Sequence, residues 1–500
     1  MSNVKSNHRL LRLSGPDAPF FTTKGLMLFL LLVLLYVALR LWRLGDYGLD
    51  TDEVFSLQAA RLNWSGLISF IVKDLVHPPF FYLLLKVWSG IGGESLWWLR
   101  LFPALTAIGA LVPFWFLCRQ LNLRAAEMNL ALALMAVNAY LIGYAQYLRM
   151  YSLLLFLSLC SFWLFARFFN SGAGAGSKLL LLFAINLLLV YTHYYGLIII
   201  GLEFLFLLLW GRSKLLAYTI SAAIIGLAFI PWIYAVSQAA KLKRGLTQNL
   251  DWITRPHLPD LMWFYATLNG LFQFRRSTSV GLLLFGFPIM VWLWRALKDR
   301  REEDSRSLPV LCWLLMCAFL PAIIAFCASQ FLPQSVWGER HLIIVAMPYM
   351  TLVAVAVMRL RPPWAMGATL LLVIGWAAVA GFHELTRHDK RLAWDALAHS
   401  MIQAESSQAS GIEVYALEEF VATPLRHSLD AAQEKRFKVV TSPDIAAFDG
   451  DHFWVAYRDT TWKQERLPEQ ILTDHGYKVG PVFSSRMTGQ QVNLFPVWRQ

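Results

Sequence analysis

The chain has 500 residues, of which 57% are hydrophobic and only 15% charged, and it carries 21 Trp and 34 Phe. A mean hydropathy of +0.50 excludes an ordinary cytosolic protein and suits a polypeptide whose surface is solvated largely by lipid. A formal net charge of +12 would suit a nucleic-acid binder, but Lys and Arg fall mostly in short gaps between apolar runs, which fits the positive-inside rule and anionic headgroups instead.

Residues 1–25 are polar and basic, with Lys5, Arg9, Arg12 and Lys24, and are expected to form a cytoplasmic tail. No small-residue cleavage site follows the apolar run 26–44, so it reads as an uncleaved anchor. Further runs of bilayer length lie at 99–118, 126–143, 150–169, 178–192, 194–210, 215–236, 279–297, 308–330, 341–358 and 364–384. The fold class is therefore an α-helical polytopic membrane protein of about eleven transmembrane helices, with about twelve or thirteen as the upper count.

The shorter run 79–91, which follows His77-Pro78-Pro79, is placed by loop charge. Arg119 and Arg124, Arg167 and Lys178, Arg212 and Lys214, the cluster Lys298–Arg306, and Arg359 and Arg361 alternate as cytoplasmic gaps only if 79–91 does not cross. It reads as an interfacial or re-entrant helix in a first external loop, 45–98. By the same alternation the long loop 237–278 lies outside despite Lys241, Lys243, Arg244, Arg255, Arg275 and Arg276. Long loops translocate regardless of charge, and external cations suit an anionic substrate. Trp252, Trp263 and Phe264 in that loop could line the substrate's path. Ser171–Gly176 reads as a flexible link without a phosphate-loop lysine. Cys118, Cys160, Cys312, Cys317 and Cys327 lie in apolar runs without metal-type spacing and read as packing residues.

After residue 385 no bilayer-length run returns. Residues 386–500 are expected to form a small soluble α/β domain, with strands at Ile412–Leu417, Phe437–Thr441 and Phe453–Tyr457 and a helix at Leu392–Glu405. An odd number of spans places it outside the cytoplasm.

Four polar constellations fall on that external side. Asp50-Thr51-Asp52-Glu53 follows the first span; its plain reading is a helix start with Glu53 favoured by the dipole, but carboxylates gathered with cations at a lipid boundary also mark functional sites. Tyr144–Tyr151 contains Gln146 and Arg149, and on its own would pass for an aromatic belt with a snorkelling arginine. Thr192-His193-Tyr194-Tyr195-Gly196 and Trp337-Gly338-Glu339-Arg340-His341 complete the set. Independent belt residues would be divided between the two membrane faces, so their gathering on one face favours a shared role. Glu203, in mid-span, is expected to be protonated or paired in a structural role.

The ordered set Asp52-Glu53, His77-Pro78-Pro79, Tyr144–Tyr151, Thr192–Gly196 and Arg340-His341-Leu342 leading to Pro348 resembles the GT-C glycosyltransferases, in the branch of the protein O-mannosyltransferases and lipid A aminoarabinose transferases in bacterial form. No single motif is specific; the order is. The resemblance spans about residues 20–385. It implies a GT-C transmembrane catalytic domain over 26–385, with periplasmic loops 45–98 and 237–278, and a periplasmic α/β domain over 386–500. The implied location is the bacterial inner membrane, with the active site on the periplasmic face.

The implied enzyme is an inverting hexosyl or pentosyl transferase. It would move a sugar from a polyprenyl phosphate, undecaprenyl phosphate in bacteria, to an envelope acceptor: lipopolysaccharide or lipid A, another glycan, a glycolipid or a protein. The family's catalytic acid maps onto Asp52, with Glu53 supporting it. His77, Arg149, Tyr151, His193, Tyr194, Tyr195, Arg340 and His341 would bind donor phosphate and sugar. The family often carries an acid where this chain has Tyr147. No cofactor is certain; a divalent metal is the candidate, with Asp52, Glu53 and His77 as its conceivable ligands. The partners would be the lipid-linked donor, the envelope acceptor and membrane lipids, with no nucleic acid.

The competing readings are a transporter or flippase for lipid-linked sugars, or a noncatalytic scaffold. A transporter would be expected to spread polar residues through many spans and to show internal symmetry, which this sequence lacks. A scaffold leaves the Asp52-Glu53 exit unexplained.

Overall fold

The computed structural model describes residues 20–74, 76–172, 175–242, 254–270, 277–298, 308–386, 393–405, 411–459, 462, 465–487 and 490–500. Residues 1–19 of the expected N-terminal tail, Lys243, Arg244, Trp252, Arg275, Arg276, most of the 298–306 basic cluster and the 387–392 junction lie outside the described residues, as do Ala173 and Gly174 of the glycine-rich link. The chain forms two compact units, one of Met1–Trp42, Leu62–Val87 and Leu101–Thr386, the other of Arg43–Arg61, Trp88–Arg100 and Arg387–Gln500.

The first unit is helical, and the chain is a multi-span membrane protein. Among the described residues nine helices are long and apolar enough to cross a bilayer: Thr23–Leu41, Leu96–Gln120, Tyr151–Phe169, Ala175–Thr192, Arg212–Lys241, Thr278–Arg295, Cys312–Phe331, Glu339–Met358 and Pro363–Thr386. Ala125–Val137 and Ala139–Ala145 form a further apolar pair bent by 61°, and Gly196–Trp210 is a shorter apolar helix. Each stretch singled out in the sequence overlaps one of these. Phe80–Gly92, the helix after His77-Pro78-Pro79, has 13 residues; at 1.5 Å each it is ~20 Å long, short of a ~30 Å hydrocarbon core.

Nearly all residues of Glu339–Met358 are buried, so it packs on all sides, whereas few of Thr23–Leu41 are and it presents Leu30, Leu31 and Leu34 outward. Arg212–Leu242 carries the chain further into the 237–278 region than the loop reading expected, and Leu258–Leu268 is helical there. In that segment Phe264 is buried and Trp263 exposed. Arg255 is occupied by a carbonyl, donating to Leu332 O at 3.2 Å. All five cysteines are free thiols.

Several buried polar groups inside the helical unit are paired, as the cost of an unpaired buried charge requires. Glu203 accepts hydrogen bonds from Ser161 (2.6 Å), Asn186 (2.8 Å) and Tyr218 (2.6 Å), which ties neighbouring helices together and gives it the structural place expected of it. Arg40 donates to Ala136 O (2.6 Å) and Met135 O (2.7 Å), closing the carbonyl end of Ala125–Val137. Glu127 pairs with Arg359 at 2.8 Å.

The second unit is built on a mixed sheet. Strands β1 (Ile412–Ala416), β2 (Phe437–Thr441), β3 (His452–Arg458), β4 (Tyr477–Val479), β5 (Phe483–Met487) and β6 (Gln490–Arg499) run in the order β2-β1-β3-β6-β4, with β5 also on β6. The β2-β1-β3 pairs are parallel and the pairs with β6 antiparallel.

Alternation along the strands divides the core in two. Val414, Ala416, Trp454 and Ala456 pack with Trp394, Leu397 and Met401 of the helix Trp394–Ala404. Tyr415, Phe453, Val455 and Tyr457 pack with Leu472 and Phe495 in the other cluster. Trp88 and Trp98 stack 4.3 Å apart at 7° and exchange indole-to-carbonyl hydrogen bonds of 2.8 and 3.0 Å.

Candidate functional site

Asp52 and Glu53 sit in the first turn of the helix Thr51–Arg61, within the second unit. Asp50 opens the helix: its carbonyl accepts the Glu53 and Val54 amides, and its own amide donates to Glu53 Oε2 at 3.0 Å. Negative side chains are favoured at this end by the unsatisfied amides and the helix dipole.

The two neighbouring acids then part in role. Glu53 is fully buried and held by Arg100, whose Nε reaches Oε1 at 3.1 Å and whose Nη2 reaches Oε2 at 3.0 Å. Arg100 also donates to the carbonyls of Leu44 (3.3 Å), Tyr47 (2.6 Å) and Gly48 (2.9 Å), so a single guanidinium fixes both the turn before the helix and its third residue. Asp52 is only half-buried. Of the pair, Glu53 is the one that secures the backbone. The sequence reading did not single out Arg100; one arginine at the start of an apolar run resembles a snorkelling belt residue.

In the first unit, His77, His193 and His341 come together from the segment before Phe80–Gly92, the turn after Ala175–Thr192 and the 3₁₀ turn Glu339–Leu342. All three are buried, and one ring nitrogen from each lies within 4.8 Å of the others. Ring centroids are 4.6 Å apart for His193 and His341, 5.3 Å for His77 and His193, and 5.8 Å for His77 and His341. Buried Arg149 brings Nη2 to 3.3 Å from His77 Nδ1. Tyr195 packs edge-on to His193 at 5.1 Å and donates its hydroxyl to Val336 O at 2.7 Å.

Tyr151 lies 6.0 Å from His341 and stacks on Tyr147 at 6.1 Å and 8°, so the position where the resemblance offers an acid is an aromatic wall. Tyr194 is engaged elsewhere, accepting from Trp232 Nε1 at 3.1 Å. Arg340 sits beside His341 in the 3₁₀ turn and adds positive charge that acts on His77 and His193.

Burial, followed by the charge of Arg149, holds His77 well below its ordinary range and His193 down to about 3. Both rings are therefore neutral at pH 7, and their hydrogen-bond partners fix where the proton sits. A guanidinium can only donate, so His77 Nδ1 accepts from Arg149. His193 Nδ1 accepts the Tyr195 amide at 3.1 Å. In each ring the proton is left on Nε2, and the Nε2 atoms of His77, His193 and His341 are buried without a hydrogen-bond partner among the described residues. Buried donors of this kind call for an acceptor supplied by a ligand.

A divalent ion fits this arrangement poorly. A metal-ligating histidine offers one lone pair to the metal and donates its other N–H to an acceptor, whereas His77 and His193 have donors at Nδ1 and hydrogen on Nε2. Arg149 adds a cation beside His77, and both Glu53 oxygens are taken by Arg100. The cluster as built is suited to an oxyanion: neutral N–H donors beside a guanidinium.

No family model matches the sequence, and no curated protein matches it. Solved structures of similar fold include ArnT from Cupriavidus metallidurans in the apo state, 16% identical over 94% of this chain and 98% of that one, with a TM-score of 0.54. ArnT from the same organism bound to undecaprenyl phosphate is also 16% identical, over 95% and 98% of the two chains, with a TM-score of 0.53. The Archaeoglobus fulgidus oligosaccharyltransferase tethered with an acceptor peptide aligns at 14% identity over 85% of this chain and 64% of that one, with a TM-score of 0.49. Since the ArnT likeness runs through nearly all of both chains, this polypeptide has the fold of ArnT.

Proposed function

We propose that the chain is an inverting glycosyltransferase that takes a hexosyl or pentosyl group from a polyprenyl phosphate, undecaprenyl phosphate in a bacterial inner membrane. The acceptor is an envelope hydroxyl of lipopolysaccharide, another glycan, a glycolipid or a protein at the periplasmic face. The observation that carries the reading is the group of buried histidine Nε2 atoms beside Arg149, with the His77 and His193 N–H groups lacking an acceptor among the described residues. A polyprenyl-phosphate leaving group supplies what they lack, acceptor oxygens whose charge grows as the sugar departs. ArnT bound to undecaprenyl phosphate has the same fold, which supports this donor class.

In the proposed reaction the acceptor oxygen attacks the anomeric carbon, the bond from that carbon to the phosphate oxygen breaks with its electron pair, and Asp52 takes the proton from the acceptor hydroxyl. Phosphate charge is met by the N–H groups of His77 and His193 and by Arg149 and Arg340, while Tyr151, Tyr195 and His341 wall the sugar or isoprenoid. No metal enters any step.

Reconstitution in liposomes with radiolabelled polyprenyl-phosphate sugars and candidate acceptors tests this. Asp52→Asn should lower transfer by about 10²-fold or more while donor binding survives. Glu53→Gln should instead lower the unfolding temperature, because it leaves Arg100 buried without its counter-charge. Full transfer by Asp52→Asn would remove the general base from the proposal.

A further inference from the structure

We infer that the C-terminal domain contains the positioning residues for Asp52: Trp394 and Arg458 hold the start of the Asp52 helix from the sheet side. This deepens the proposed function and rests on its assignment of Asp52.

The helix Thr51–Arg61 is short, with 11 residues, and helices of that length are marginal in isolation. Its start is tied at two places. Trp394, the first residue of Trp394–Ala404 and 3% exposed, donates its indole N–H to Leu49 O at 3.1 Å. Arg458, the last residue of β3 and 6% exposed, donates from Nη1 to Thr51 Oγ1 at 3.1 Å. Arg458 is itself aimed by Glu418, with Nη2 to Oε2 at 2.9 Å, and its guanidinium lies 5.4 Å from the Phe420 ring. Thr51 is the residue immediately before Asp52 and Leu49 lies three before it, so a shift of Arg458 or Trp394 moves the carboxylate through one to three peptide units.

Gly48 supplies the complementary feature on the helix side. A Cβ there would stand 2.9 Å from Trp394 Cδ1, closer than real Cβ contacts allow, so the indole approaches this turn only because residue 48 has no side chain. Arg100 holds the same turn through the carbonyls of Leu44, Tyr47 and Gly48. The first turn is thus clamped between Arg100 on one sequence segment and Trp394 and Arg458 on another. The role this gives the soluble domain is to set the register of the proposed base, independently of any acceptor it binds.

The test uses the full-length protein reconstituted with a radiolabelled polyprenyl-phosphate sugar and compares Trp394→Phe, which keeps the ring and removes the donor, with Arg458→Met and Arg458→Lys. Trp394→Phe and Arg458→Met should each lower kcat by about 10- to 100-fold with KM for the donor changed less than about twofold, because a displacement near 1 Å is enough to cost that much. Arg458→Lys, which retains a donor and the charge facing Glu418, should recover part of the loss. Amide hydrogen exchange over residues 51–56 should rise in the same order. Unchanged exchange and kcat in both Trp394→Phe and Arg458→Met would overturn the inference, as would a loss confined to donor KM. If Arg458→Met does not fold, Gly48→Ala displaces the same indole from the other side and should give the same kcat loss and exchange rise; no change in either would count against the clamp. Exchange that responds as expected while Asp52→Asn retains full transfer would sustain the clamp and reject the assignment of Asp52 instead.

Discussion

His193 ties hydrogen bonding, charge and pH together in one residue. Its Nδ1 accepts the Tyr195 amide, its ring is buried, and burial followed by Arg149 and Arg340 holds it down to about 3. The unfolded chain protonates this ring near pH 6.5, whereas the folded chain does not do so until about 3. Between those values the unfolded state binds more protons, so stability rises with pH: the contribution is complete above 6.5 and is lost progressively as pH falls toward 3. His77 is shifted in the same direction for the same causes and adds to the slope. Thermal unfolding in detergent between pH 7.5 and 5 should therefore show a loss reaching about 1.4 kcal/mol per pH unit for each of the two histidines. His193→Gln should flatten that dependence, and a slope identical to wild type would show that His193 takes up its proton in the folded state too.

At the scale of elements, the approach to Arg149 is set by a broken helix. Ala125–Val137 and Ala139–Ala145 meet at 61°, and Asn138 between them serves both sides of the break: its Oδ1 accepts the Leu141 amide at 3.0 Å and its Nδ2 donates to Leu268 O at 2.7 Å. The bend releases carbonyls that a straight helix would satisfy, and Arg40 takes those of Met135 and Ala136. Gly381 makes room for the end of the first half, since a Cβ there would lie 2.1 Å from Val137 O. After the second half, Gln146 pins the chain by donating to Trp42 O at 2.7 Å, and Arg149 follows three residues later.

Two glycines of Pro363–Thr386 separate this packing from simple helix propensity. Gly381→Ala should lower the unfolding temperature, because the break must shift to admit the methyl group. Gly375→Ala, with nothing within 4 Å of the new carbon, should leave it unchanged or raise it, stabilising the helix by up to about 1 kcal/mol. Equal effects at both positions would mean that the close approach at Val137 does not constrain the bend.

For the whole molecule, apolar periodicity was legible where one rule governed a segment. The apolar runs became helices, Phe437–Thr441 became β2 residue for residue, and Glu203 found its polar partners. β6 escaped the reading although it pairs with three strands: Pro496 breaks the expected donor pattern, and Gln490, Gln491 and Asn493 interrupt the alternation. Loop charge predicts one membrane side for His77, His193 and His341 but says nothing of their lying within 4.8 Å of one another; that closeness depends on helix packing. The role of Arg100 was hidden for the same reason, since its partners are 47 to 56 residues away in sequence.

Distant partners also decide how the second unit divides. It contains Arg43–Arg61 and Trp88–Arg100 as well as the residues after 386, and Trp394, part of its core, gives its indole N–H to Leu49 O. A fragment of residues 387–500 would keep the sheet but lose that carbonyl and the Thr51 hydroxyl that Arg458 reaches, leaving both donors without the partners they have in the full chain. Lost hydrogen bonds of this kind cost about 1 kcal/mol each, and more where a buried donor is stranded. The isolated fragment should therefore unfold at lower temperature than one in which residues 43–61 are joined to it by a flexible linker. Near-ultraviolet circular dichroism of the tryptophans during a thermal scan would follow both. Identical midpoints would establish 387–500 as a self-sufficient domain and confine the contribution of Trp394 and Arg458 to placing the Asp52 helix.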